Sequence, residues 1–110
     1  MDGSMKTWRV EVIPRVEQRL TDILAYISGE PLHNPEAARA VLEDFEATVN
    51  ALSLMGDRIP IGVHPIMHRR GLRRVNFRNH QFCLIFRLRD DVVQVVCIAH
   101  FKEDLNKVLR

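Results

Sequence analysis

"GLRRVNFRNHQFCLIFRLRDDVVQVVCIAHF", residues 71–101, decides how this chain is read. Apolar, β-branched and aromatic residues fill segments 72–78, 81–89 and 92–100, and the breaks fall at Asn79-His80 and Asp90-Asp91. Asn and Asp favour turns because their side chains bond the local backbone and tolerate left-handed conformations. Short apolar runs separated by such turns read as a three-stranded antiparallel meander. Neither turn holds the glycine that a tight two-residue hairpin favours, so the register is open to a shift of one residue.

With two-residue turns, Arg87 lies opposite Gln94, Ile85 opposite Val96, and Cys83 opposite Ile98. On the earlier hairpin Arg74 faces Ile85 and Asn76 faces Cys83. Side chains alternate along a strand, which sorts the meander into two faces. Val75, Phe77, Phe82, Leu84, Phe86, Leu88, Val93, Val95, Cys97 and Ala99 share a wholly apolar face that must be covered. The second face is mixed. Its apolar floor of Cys83, Ile85, Val96 and Ile98 is ringed by Arg74, Arg78, Arg87, Gln94 and His100. A sheet covered on one side leaves the other to water or a partner, and an open apolar floor marks a binding surface. This pairing puts Cys83 and Cys97 on opposite faces, so no disulfide is expected between them.

Working toward the N-terminus, residues 57–71 hold two prolines and two glycines and read as a surface loop with at most a short strand. Before it stand two apolar stripes at helical spacing. Val16, Leu20, Ile23, Leu24 and Ile27 follow Pro14, which suits the first position of a helix, and Ser28-Gly29 ends that segment. Ala38, Val41, Leu42, Phe45, Val49, Leu52 and Met55 form the second stripe. Asn34 is its N-cap, Pro35 its first residue, and Gly56 its stop. Two amphipathic helices joined by a short loop make a helical hairpin. At residues 7–13, Trp8, Val10 and Val12 alternate with polar residues as in a half-buried strand. The expected fold is therefore α+β, with an N-terminal strand and a long helical hairpin on one face of a small antiparallel sheet.

The 110 residues suffice for one domain. We assign residues 5–110 to it and expect "MDGS" (1–4) to be a cloning remnant. Apolar residues make up 46% and charged residues 27%, a globular balance. The net charge of +2 is unevenly spread: residues 1–55 carry −4 and residues 56–110 carry +6. A basic half attracts phosphates or an acidic protein segment. No apolar run reaches the roughly 20 residues of a membrane helix. Cys83 and Cys97 fit no metal spacing, and a soluble chain on which no signal peptide is read is expected in a reducing compartment, the cytoplasm.

Chemistry-bearing groups are few. Seven arginines stand between Arg69 and Arg89 with no acidic residue among them. Their planar forks suit phosphates and carboxylates, and Arg73, Arg74, Arg78, Arg87 and Lys102 are the candidate target-binding residues. His100 at a strand end is the candidate general acid or base in phosphodiester cleavage. A strand-end histidine without that task is the competing reading. His64 and His68 are four apart, but Pro65 works against the helix that would put them on one face. No metal site and no cofactor are expected. Glu43, Asp44 and Glu46 on the second helix offer an acidic surface for a basic partner.

The order of elements, with "AYIS" (25–28), "PEAARAVLEDFEATVNAL" (35–52) and the C-terminal run through "FKEDL" (101–105), resembles the RelE/ParE superfamily of bacterial toxins from toxin–antitoxin modules. The resemblance spans nearly the whole chain from Lys6. It implies a toxin neutralised by a cognate antitoxin in a hetero-oligomer. It also implies one of two targets: DNA gyrase for ParE-like members, or messenger RNA on the ribosome for RelE-like nucleases. Such nucleases place an arginine where this chain has Cys83, and some follow the histidine with tyrosine where this chain has Phe101. The expectation is thus a gyrase-directed toxin of a plasmid-stabilisation module. The alternatives are a ribosome-dependent endoribonuclease with catalytic His100, and an inactive relative serving as a protein-binding module. Under the resemblance the antitoxin would use Cys83, Ile85, Val96 and Ile98 together with Glu43, Asp44 and Glu46.

Overall fold

The computed structural model describes residues 7–109; the expected remnant at 1–4 lies outside them. Strand β1 (Arg9–Val12) leads into helix α1 (Pro14–Ser28) and helix α2 (Pro35–Met55). A single 3-10 turn at Gly56–Arg58 and the short helix α3 (Pro65–Arg70) follow. Strands β2 (Arg73–Asn76), β3 (Phe82–Arg89) and β4 (Val92–His100) precede a last helical turn, α4 (Leu105–Val108).

The helix ends follow the local chemistry. Pro14 and Pro35 occupy first-turn positions, and the Asn34 side chain accepts a bond from the Ala37 N–H at 3.0 Å. Gly56 ends α2 by close approach rather than by left-handed geometry. Its φ of −55° is ordinary, but a Cβ there would sit 2.9 Å from Val93. Pro65 opens α3 instead of preventing it, and the His64 ring caps that helix by accepting from the Ile66 N–H. Gly71, at φ 65°, closes it in the left-handed region. The expected loop at 57–71 is thus partly helical.

The four strands run in the order β1-β4-β3-β2. The meander is antiparallel, and β1 joins its β4 edge in parallel. Asp90 takes the left-handed position of the tight β3–β4 turn, at φ 57°. The pairs Arg74–Ile85, Asn76–Cys83 and Arg87–Gln94 form as expected. Beyond them the register departs. Phe86 pairs with Val95 but Ile85 pairs with Cys97, so Val96 is an extra residue in a β-bulge. Side-chain direction on β4 reverses there. Ile98 and His100 consequently point toward the helices, while Cys97 and Ala99 point away, the reverse of the expected sorting. Cys83 and Cys97 therefore share a face, and both are free thiols.

Helices α1 and α2 cover one side of the sheet. Val16, Leu20, Val41, Phe45, Leu52, Leu84, Phe86, Val93 and Val95 form the core between the layers. Phe86 and Leu84 are fully buried at its centre. The other side is not open. Met67 and Leu72 from the α3 region and Leu109 at the end of α4 bury Cys83, Ile85, Cys97 and Ala99 in a second, smaller core.

Candidate functional site

The floor expected to be open is closed. Cys83 and Ile85 lie 1% and 0% exposed under α3 and α4, and Ile98 lies buried on the helix side. Two arginines tie the cover down. The Arg15 guanidinium donates to the Val108 carbonyl at 3.1 Å, and the Arg70 guanidinium donates to the Leu109 carbonyl. Asp104 caps α4 by accepting from the Asn106 N–H. Burial also raises both thiols, Cys97 to about 11, which disfavours the nucleophilic thiolate at neutral pH.

Val96 is the one floor residue left partly exposed, and it lines a cleft. That cleft, about 230 Å³, brings together Arg15 of α1, Arg70 of α3 and Arg87 of β3 over walls that include Ile13, Leu72 and Val96. The Arg87 Nε donates to Gln94 Oε1 at 2.7 Å, and Gln94 Nε2 donates to Glu11 Oε1 at 2.6 Å. This relay crosses β3, β4 and β1 and fixes the Arg87 head.

The remaining arginines are dispersed. Arg73 holds the preceding loop by donating to the Ile59 carbonyl at 2.6 Å and to that of Asp57 at 3.3 Å. Arg74 donates to Asn76 and lies over the Phe101 ring, 5.2 Å from its centroid. Arg78 and Lys102 are exposed. Arg87 sits five positions beyond Phe82, the partner of His100, so roughly 17 Å separate it from that histidine along the sheet. Of the arginines expected to clamp phosphate, Arg87 stands apart from His100, while Arg74 lies over the ring of the adjacent Phe101.

His100 packs edge-on against Phe82, with ring centroids 5.4 Å apart. Its Nδ1 accepts the Lys102 backbone N–H at 3.1 Å. In the neutral ring the proton therefore resides on Nε2, which makes the remaining nitrogen a donor rather than a base. Its backbone N–H donates to Glu103, which also pairs with Arg19.

Of the expected acidic surface, Glu43 and Glu46 are exposed, but Asp44 is buried, 4% exposed. Its carboxylate accepts the backbone N–H groups of Arg78 and Asn79, at 3.2 and 2.9 Å, and pairs with His80 Nδ1 at 2.7 Å. Burial raises its pKa, yet the bonds from His80, Asn79 and Arg78 outweigh burial and hold it below the ordinary value. Asp44 is thus a clasp on the β2–β3 turn. The clue was its position: with Val41, Phe45 and Thr48 it sits on the core stripe, where a charge requires partners.

An open apolar surface exists elsewhere. Ile23, Tyr26 and Ile27 of α1 and Phe82 line a groove of about 740 Å³, rimmed by Arg15, Arg19 and Asp22. Among the described residues no group of three or more His, Cys, Asp or Glu is placed to hold a metal ion, and no helix is long and apolar enough to cross a membrane.

No protein-family model and no curated protein matches the chain. Among solved structures it is similar to one described as a chromosomal ParDE TA system from P. aeruginosa. The match covers 86% of this chain and 97% of that one, with a TM-score of 0.69 and 16% identity. At that identity the likeness is one of fold.

Proposed function

We propose that the protein is the toxin of a toxin–antitoxin pair and acts on DNA gyrase. The observation that carries this reading is its fold, whose nearly end-to-end likeness is to a chain of a ParDE toxin–antitoxin system. A non-hydrolytic target is favoured by His100, whose Nδ1 is occupied by the Lys102 N–H and from which Arg87 stands well apart. The antitoxin segment, folding on binding, lies along the α1 groove with Tyr26 and Phe82 at its floor, and Glu43 and Glu46 meet its basic residues. Arg74, Arg78 and Lys102 are left to the acidic target. Activity on gyrase places the protein in the cytoplasm.

The test is expression with and without the product of the adjoining reading frame. Growth should arrest without it and recover with it, and purified protein should inhibit gyrase supercoiling. His100→Ala should retain most of that inhibition. Cleaved ribosome-bound messenger, with cleavage slowed about 10²–10⁴-fold by His100→Ala, would replace the gyrase reading with the nuclease one.

A further inference from the structure

We propose that the arginine-lined cleft is a binding site for a single carboxylate, presented by an acidic side chain of the protein segment that occupies the α1 groove. The source of the carboxylate rests on the toxin–antitoxin reading; the anion site itself rests on the cleft alone.

Arg15, Arg70 and Arg87 come from three elements and converge on one concavity. Guanidinium groups stay charged at any physiological pH. Among the described residues the ion pairs are Arg19–Glu103, His33–Glu30 and His80–Asp44, so no carboxylate of a described residue is paired with the three. Each instead donates to a neutral oxygen: the Val108 carbonyl, the Leu109 carbonyl and the Gln94 amide. Glu11, the nearest acid in the network, is reached only through Gln94 and does not line the cleft. Three cations in one concave site, none paired with a described carboxylate, focus a positive potential and leave several N–H donors available to an oxyanion.

Size and walls select the ligand. A cavity of about 230 Å³ lined by Ile13, Leu72 and Val96 accepts a carboxylate on a short aliphatic stem. A nucleic-acid strand instead needs an extended track of free cations. Arg73, which holds the preceding loop, and Arg74, which lies over Phe101, are not among the residues that line the cleft and do not extend it into one. Arg15 also borders the α1 groove, so the groove and the cleft share this residue as a wall. A segment seated on Tyr26 and Phe82 that runs on along α1 to Arg15, about 16 Å away, brings an acidic side chain to the cleft.

The experiment follows the arginine Nε–H signals of ¹⁵N-labelled protein by NMR, with glutarate and inorganic phosphate as probes. The signals of Arg15, Arg70 and Arg87 should shift together and saturably. Arg87→Gln should weaken glutarate by about tenfold, and Arg87→Lys, which keeps the charge, by less. Thermal melts confirm that each variant is folded. Absence of a saturable shift overturns the site. In a second arm, the adjoining gene's product should bind Arg87→Gln about tenfold more weakly than wild type, and glutarate should compete. Equal binding overturns the carboxylate contact while leaving the toxin reading intact. Failure of the wild type to bind that product removes the toxin reading and the assigned source, and the glutarate arm then decides the anion site by itself. Displacement of glutarate by a short single-stranded oligonucleotide that binds more tightly than the product overturns the carboxylate in favour of phosphate.

Discussion

Asp44 shows how one side chain sets the position of a turn. Its carboxylate draws residues 78 to 80 onto α2, and the Phe77 N–H closes the connection on the Phe82 carbonyl at 2.8 Å. Because Arg78, Asn79 and His80 border solvent, water can replace part of what is lost, so Asp44→Ala should cost about 1–3 kcal/mol in chemical denaturation. The carboxyl pKa is lowered in the fold, so the folded state binds fewer protons than the unfolded one. The clasp's contribution is therefore complete above the ordinary value of 3.8 and is lost as pH falls through the folded value. The stability gap between wild type and Asp44→Ala should narrow over that acid window. A gap that instead widens in acid would mean that the carboxylate is not the stabilising form.

At the scale of elements, α3 and α4 act together as a second cover for the sheet. They are short, and neither would be stable alone. Leu109, Met67 and Leu72 anchor them in the smaller core beside Cys83 and Cys97. The thiols thus report on the cover. With α4 in place they should react slowly with a thiol reagent, since both are buried and raised in pKa. Leu109→Asp should release α4 and speed the reaction by about tenfold or more while far-ultraviolet circular dichroism stays near wild type. Slow reaction in a folded Leu109→Asp would mean that the C-terminal turn is not what shields the cysteines. The bulge at Val96 is the companion device: by reversing β4 it gives both layers apolar residues from a single strand.

For the whole molecule, the main core joins both long helices to the sheet through Phe86. Phe86→Ala should cost about 3–5 kcal/mol, a large part of a small domain's stability, read from denaturant midpoints. A loss below about 1 kcal/mol would show that the layers do not depend on this ring. The charge split persists on the surface, with Arg78 and Lys102 exposed and Arg74 partly so. Arg74→Glu combined with Arg78→Glu should slow association with an acidic partner at low salt, and the difference should shrink as salt is added. Association rates by surface plasmon resonance that are equal at low salt would remove these residues from the steering surface.

Local pattern was enough for much of this. The stripe from Val16 to Ile27, the Asn34 cap with Pro35, and the alternation from Phe82 to Arg87 specify helices, ends and strands because each depends only on near neighbours in the chain. The helical hairpin and the meander were legible for that reason. The parallel docking of β1 on β4, the extra residue at Val96 and the closing of the far face by Leu109 were not. Each is decided by contacts between residues distant in sequence, where packing chooses among locally equivalent conformations. The candidate site divides the same way. That arginines crowd residues 69–89 is a property of the sequence; that Arg70 and Arg87 meet Arg15 in one cleft, while Arg73 is spent on a loop, exists only in the folded chain.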